Sequence, residues 1–389
     1  MTGSTENAMD DYRYHMPTEV HFAPGAIGRL GSEAARFGQR AFVVTGRHSA
    51  RESGALDAAR RSLKEASLEA IIFDRVEENP SDRTVAEGAR MARQENCDVV
   101  VALGGGSPMD AAKGIAILLV MDGELARYYG GGKVGRPVMP VVAVPTTAGT
   151  GSEVTPYAVF VDSGKNLKCS VASPYIFPRS ALLDPRLTLS MPPEITANTG
   201  IDALTHALEG FTSVKAQPIS DRLALEAVSL INEYLPAAVV RGDELEPRSR
   251  LLHASMLAGM VIAQTGTTLI HGMGYAPTTH YGIAHGLANG VLMDQVVTFN
   301  SEQDPERYAA LASALGREAD PAAAPREAAE GLRALRQRVG MPGRLRDLGV
   351  REEDLEVFAR QTMGHSRNLE NNARQVTVEN VLEIYRNSY

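Results

Sequence analysis

The 389-residue chain predicts an α/β half built on a parallel sheet, followed by an all-helical half. Three observations carry that expectation. Strand-like and helix-like stretches alternate through residues 1–189. One strand-like run, Asp98-Val-Val-Val-Ala-Leu103, is apolar without interruption, as in strands covered on both faces. From about Ser190 onward, strand signals give way to long helical periodicity. A chain of this length exceeds what one core supports, so two domains are expected, residues 1–189 and 190–389.

Glu19 to Phe22 reads as a short strand, and Arg40-Ala-Phe-Val-Val-Thr45 as a buried strand closed by Gly46. The amphipathic stretch Leu56 to Ala66 reads as a helix and Glu69 to Phe73 as the next strand, which makes a βαβ beginning. After a turn at Asn79-Pro80-Ser81, a helix is expected to about Glu95. The apolar strand then runs into Gly104-Gly-Gly-Ser-Pro-Met-Asp110. Three glycines let backbone N–H groups approach a ligand, Ser107 is expected to cap the following helix, and Pro108 suits its first turn. Free N–H groups and the positive end of a helix dipole favour a phosphate or pyrophosphate. The alternative is a tight turn without a ligand, since the run matches neither G-x-G-x-x-G nor the Walker lysine pattern. Arg136-Pro-Val-Met-Pro-Val-Val-Ala-Val144 reads as a further strand, opening into Pro145-Thr-Thr-Ala-Gly-Thr-Gly-Ser-Glu153. Open sheets place ligands at the carboxyl ends of parallel strands, so both loops are expected to face one nucleotide.

In the second half, helices are expected over Ser220 to Tyr234, Arg248 to Gln264 and Pro325 to Val339. Gly200-Ile-Asp-Ala-Leu-Thr-His-Ala-Leu-Glu209 also reads as helical, which puts Asp202 and His206 on one face, four residues apart. Thr267 to Tyr275 and Tyr281 to Asn289 add His271 and, fourteen residues later, His285. Each histidine alone is an ordinary core or surface residue. Together, one carboxylate and three imidazoles suit a divalent transition metal with a position left open for a substrate oxygen.

The charge count, 39 basic against 47 acidic residues for a net of −8, contains no long single-sign run, so nucleic acid and anionic lipid are not expected partners. Cys97 and Cys169 form no disulfide framework, which fits a reducing compartment. Met1 to Met16 lacks the basic start and apolar core of a signal peptide, and no apolar run is read as approaching a membrane span. A soluble cytoplasmic protein is expected, acting as a homodimer or higher homo-oligomer.

Four segments, Gly104 to Lys113, Pro145 to Pro156, Gly200 to Glu209 and His285 to Asn289, together resemble the iron-containing (group III) alcohol dehydrogenases in order and spacing. The resemblance runs from Met16 to Tyr385. It implies a Rossmann-like dinucleotide-binding domain followed by an all-helical metal-binding domain, the architecture also seen in dehydroquinate synthase-like proteins. It further implies NAD(P)-dependent interconversion of small alcohols with aldehydes or ketones. Carried over by position, the metal ligands are Asp202, His206, His271 and His285, with Fe2+ the usual ion and Zn2+ or Mn2+ suited to the same donors. Gly104, Gly105, Gly106, Ser107 and Asp110 are implied at the pyrophosphate, and Thr146, Thr147 and Thr150 as hydroxyl contacts. Asn79, Lys168, Leu187 and the loop at 45–49 are implied nearby.

The chain departs from the family at Tyr275, where many members carry a histidine near the nicotinamide; Tyr275 or His280 is therefore the expected proton relay. The familiar Gly-Tyr-Pro-Leu-Thr reads Gly274-Tyr-Ala-Pro-Thr278, and the common Asn-Pro near the end reads Asn372-Ala373. NAD-using members commonly place an Asp after the first long strand, where this chain has Gly46 followed by Arg47, His48 and Ser49. NADP is thus the expected dinucleotide, with NAD the alternative. Glycerol dehydrogenase-like and maleylacetate reductase-like oxidoreductases are near alternatives, and the complete ligand set counts against the latter. A dehydroquinate synthase-like lyase needs more Lys and Arg than the metal segments hold, and a binding protein without turnover would not need all four ligands.

Overall fold

The computed structural model describes residues 11–165, 167–302 and 304–389, so the reading of Met1 to Asp10 falls outside the described residues. In chain order the first half holds β1 (Glu19–Phe22), α1 (Leu30–Ala35), β2 (Arg40–Gly46), α2 (Ser49–Glu52), α3 (Ala55–Glu65), β3 (Glu69–Val76), α4 (Asp82–Gln94), β4 (Val99–Gly104), α5 (Gly106–Val120), β5 (Gly130–Gly131), β6 (Val141–Pro145), β7 (Tyr157–Asp162), β8 (Leu167–Ala172) and β9 (Ser180–Leu183). Six of these strands form a parallel sheet in the order β1-β9-β6-β4-β2-β3. The period-2 alternation of a strand sorts its residues between two cores. In β2, Ala41 and Val43 pack with Leu30, Leu56 and Leu63 on one face, while Phe42 and Val44 join a larger core that continues into the helical half.

Register decides where the loops emerge. Thr45 pairs with Leu103, and Gly104 pairs with Pro145, so β2, β4 and β6 end side by side at one edge of the sheet. The strand expected from Arg136 begins only at Val141, because Pro137 and Pro140 lack the N–H a ladder needs. The sequence reading also passed over a second sheet, β5-β8-β7, in which β7 runs antiparallel to β8. Its signal was present: Ala158, Phe160 and Asp162 are buried in alternation with less buried neighbours.

Ten helices make up the second half of the described residues: α6 (Pro193–Phe211), α7 (Pro218–Val240), α8 (Leu245–Thr265), α9 (Leu269–Tyr281), α10 (His285–Asn300), α11 (Pro305–Ala314), α12 (Ala324–Arg338), α13 (Leu355–Thr362), α14 (Ser366–Asn371) and α15 (Val378–Asn387). Residues Thr196 to Phe211 of α6 are buried almost without a break, which makes it the central helix against which α7, α8 and α10 pack. The expectation that no apolar run approaches a membrane span needs correcting. α7 is long and apolar enough by length and composition, with a mean hydropathy of 1.4. Its apolar residues Ala224, Val228, Ile231 and Leu235 are buried among neighbouring helices, and that packing accounts for its composition.

Candidate active site

Asp202, His206 and Glu209 fall at i, i+4 and i+7 of α6, one face of a 3.6-residue helix, and all three are buried. His271 lies in the first turn of α9, and His285 is the first residue of α10. Gly286 allows that approach, since a Cβ there would stand 2.0 Å from the Asn198 carbonyl and 3.2 Å from Cβ of Asp202. The donor atoms of Asp202, His271 and His285 consequently lie within 4.8 Å of one another. His206 is one helical turn along, outside that closest set, with its ring stacked on His271 at 4.7 Å between centroids. The His271 and His285 rings are 5.1 Å apart.

Two of the three imidazoles are held toward the neutral form. Burial pulls His285 down to about 3 and also lowers His206. Burial works against the charge on Asp202 as well, but His206, His285 and His271 outweigh it and leave the carboxyl below its ordinary value. His271 differs. Glu209 accepts from its backbone N–H at 3.0 Å, contacts Nδ1 through Oε2, and takes the Thr268 hydroxyl at 3.0 Å. The carboxylate raises the His271 pKa against the effect of burial, and fixes Nδ1 as the protonated nitrogen. This leaves His271 Nε2 aimed at the cluster, buried and without a hydrogen-bond partner, and His206 Nδ1 and His285 Nδ1 are likewise unpartnered. Buried polar atoms are rarely left unpaired, and a carboxylate among orphaned imidazole nitrogens fits a divalent transition metal. Asn289 adds an amide, with Nδ2 3.3 Å from Asp202 Oδ1 and 3.2 Å from His285 Nε2.

The nucleotide loops come together as the register requires. Gly105 lies against Thr147 and Gly106 against Thr150: a Cβ would meet them at 3.2 and 2.7 Å. Ser107 does not cap α5, whose N-cap is Gly105; its hydroxyl accepts from the Asn79 N–H at 3.2 Å and ties the 79–81 turn to the loop. Asn79 itself is held at φ 55. Asp110 is fully engaged within the protein, accepting from the Ser152 hydroxyl and from the Val159 N–H, both at 2.9 Å. It thereby ties the loop to Ser152 and β7. Thr146 donates its backbone N–H to Gly104 at 3.0 Å, and Leu187 is buried beside β9. Lys168 on β8 has its pKa lowered by burial, against the pull of Glu78, Asp202 and Asp110, and so links the loop side to the metal-ligand side. Gly46 ends β2, with Arg47 and Ser49 exposed beyond it.

Tyr275 stacks on His285 at 5.5 Å with an interplanar angle of 11°. Burial pushes its hydroxyl up to about 12, so the phenol keeps its proton at neutral pH. His280 faces elsewhere, bonded to Gln361 at 3.0 Å and packed on Phe358. Sequence reasoning missed His365, whose ring lies 4.8 Å from Tyr275, and Arg367, whose guanidinium lies 4.9 Å over the ring of Tyr157. Neither residue belongs to a periodic or spaced pattern. Glu209 and Asn289 were also missed as functional groups, although each continues a ligand's helical face, at i+3 from His206 and i+4 from His285.

Glu153, next to Ser152, is 2 % exposed and its Oε1 has no partner. Burial raises its carboxyl to about 7, with only partial relief from Lys113. Because the folded form holds this proton more tightly than the unfolded chain, the contribution of Glu153 to stability is fully present below pH 4.5 and is lost as pH rises through 7, by up to about 3 kcal/mol. Glu153→Gln is expected to flatten that part of the curve. Thermal unfolding of both proteins between pH 4.5 and 8 checks this, and identical slopes would refute it.

A sheet with nucleotide-type loops and, in the helical half, a buried carboxylate with three imidazoles suits a metal-dependent dehydrogenase. The profile described as "Iron-containing alcohol dehydrogenase" matches residues 17–185, and that for the C-terminal part of the Fe-containing alcohol dehydrogenase family matches residues 196–389. The chain is 34% identical over 378 residues to the NAD-dependent methanol dehydrogenase of Bacillus methanolicus, covering 96% of this chain and 99% of that protein. It is 36% identical over 383 residues to the 1,3-propanediol dehydrogenase of Citrobacter freundii, covering 97% and 99%. A crystal structure of 1,3-propanediol oxidoreductase superposes with a TM-score of 0.95 at 35% identity, covering 98% of this chain and 100% of that one. The chain belongs to the iron-containing alcohol dehydrogenase family and is a metal-dependent alcohol dehydrogenase.

Proposed function

We propose that the chain interconverts a small alcohol and its aldehyde using iron held by Asp202, His206, His271 and His285, and that it prefers NADP(H). The observation that carries this reading is the convergence of the Asp202, His271 and His285 donor atoms within 4.8 Å, with orphaned imidazole nitrogens around them. When bound, the metal supplies Lewis acidity to the substrate oxygen and the dinucleotide supplies or accepts the hydride. The chain's own residues do the rest. Glu209 holds the His271 tautomer, Asn289 braces Asp202 and His285, and Tyr275 shields the cluster from water. Gly104, Gly105, Gly106, Ser107, Thr146, Thr147 and Thr150 line the loops that would receive the pyrophosphate, with Asn79, Asp110, Lys168 and Leu187 supporting them. Free Cys97 and Cys169 agree with a reducing, cytoplasmic setting, and the outer edge of β1, unpaired among the described residues, agrees with a homo-oligomer. A substrate panel of alcohols and aldehydes, run with NADP and NAD on metal-reconstituted protein, tests the whole reading.

The NADP preference rests on Gly46. Gly46 carries no carboxylate of its own to repel a 2′-phosphate, and the acid Asp74 is paired with Arg51 at 2.8 Å. Arg47 and Ser49 offer a cation and a hydroxyl. The position also makes a clean test, because a Cβ on Gly46 would approach nothing closer than the Val76 carbonyl at 3.8 Å. Gly46→Asp is expected to fold normally and to shift kcat/KM from NADP toward NAD by roughly tenfold to hundredfold. A wild-type protein that favours NAD, or a variant with unchanged preference, would sink this assignment.

A further inference from the structure

Outside the active site, a second set of transition-metal donors stands where the edge strand meets the first helix. The period-2 alternation of β1 puts Glu19 and His21 on one face of the strand, and α1 brings Glu33 up to them. One donor atom from each of the three lies within 4.8 Å of the others. His21 Nε2 is 3.4 Å from Glu19 Oε1 and 3.4 Å from Glu33 Oε1. Those spacings fit a shared metal, because ligands about 2.1 Å from a tetrahedral ion stand about 3.4 Å from one another. They do not fit a hydrogen bond. Nε2 is shielded from solvent, yet among the described residues it has no hydrogen-bond partner, so its two nearest oxygens lie off the direction in which it could donate.

Arg36, at the end of α1, braces the arrangement. Its Nη1 donates to the second oxygen of each carboxylate, Glu19 Oε2 at 2.8 Å and Glu33 Oε2 at 2.6 Å. The guanidinium thus fixes both carboxylates with their Oε1 atoms beside His21, as the outer partners of metal ligands do. It also offsets one of the two negative charges. With an imidazole among only three donors, this disfavours Ca2+ and Mg2+, which take oxygen shells of about six or more. Burial is graded: the side chains of His21 and Glu33 are 18% and 11% exposed, whereas that of Glu19 is 50% exposed and leaves the ion a way in.

We propose that Glu19, His21 and Glu33 form a second metal site that takes a divalent transition ion of the Zn2+ kind, with water completing the shell, and that this ion pins the edge strand β1 to α1. The site shares no residue with the Asp202 cluster, so its test is independent of the catalytic reading. Zinc titrated into the metal-free full chain, followed by calorimetry and native mass spectrometry, is expected to fill two sites per chain. His21→Ala is expected to bind one zinc and to keep its alcohol dehydrogenase activity, which also shows that it has folded. With the catalytic cluster already filled, further zinc is expected to raise the thermal midpoint of the wild type and not that of His21→Ala. A single zinc in the wild type, or a second zinc that survives His21→Ala on other exposed carboxylates, overturns the proposal. Should His21→Ala not fold, Glu33→Gln serves instead, since it keeps the bulk of the side chain and removes the charge of one donor. It is expected to weaken the second zinc by roughly tenfold or more, and unchanged affinity overturns the proposal.

Discussion

His271→Ala abolishes turnover while dinucleotide binding survives: this is the largest effect expected of any single substitution in the chain. The His271 imidazole is anchored by Glu209 at Nδ1, so its loss removes a donor and also leaves a buried carboxylate facing a cavity. A three-donor remnant would hold a divalent ion far more weakly, and Lewis acidity worth several kcal/mol would go with it, a fall in kcat/KM of roughly a thousandfold or more. His285→Ala should behave alike. Glu209→Gln should fall between, because it keeps the imidazole but weakens its anchoring, with metal affinity down by about tenfold to a hundredfold. Steady-state rates, metal content by mass spectrometry and dinucleotide titration on the same preparations check all three. Near-native activity of either alanine variant in the presence of chelator would show that the cluster is not the catalytic metal site.

Gly105→Val should cost most of the dinucleotide affinity in a protein that stays folded and metal-loaded. A Cβ at this position already meets both Cγ2 and Oγ1 of Thr147 at 3.2 Å, and the branches of valine go further, so one of the two loops must give way. Overpacking of this kind costs about 1 to 3 kcal/mol, and the N–H groups that would cradle a pyrophosphate are displaced in the same movement. A loss of about tenfold to a hundredfold by titration is expected, with metal content unchanged. Pairing the change with Thr147→Ala, which removes the obstructing atoms, should recover part of the loss. Unaltered binding by Gly105→Val alone would mean that the glycines serve only the turn.

Much of the site could be read locally. The i, i+4 placement of Asp202 and His206 follows from helical period alone, and the uninterrupted apolar strand at 98–103 announces a sheet covered on both faces. Extending the same period by one turn would have reached Glu209 and Asn289. His365 was beyond reach, because its neighbour Tyr275 lies ninety residues earlier and nothing in the local pattern around it has a period. Asp110 shows a different limit. Its place after the triple glycine suggests a ligand contact, and what the local pattern does not show is that its oxygens also accept from Ser152 and Val159, partners separated from it by 42 and 49 residues.

By itself, then, the sequence determined the parallel α/β half, the helical half and the placement of Asp202 and His206 on one helix face, since each depends on short-range periodicity. The tertiary structure alone decided which nitrogen of His271 is free, which of Asp202, His206, His271 and His285 stand closest together, that Tyr275 stacks on His285 with its hydroxyl pKa pushed up by burial, and that Lys113 binds residues 152–157. Those outcomes depend on burial and on contacts across tens to hundreds of residues, where packing selects among arrangements that the local pattern leaves equally open.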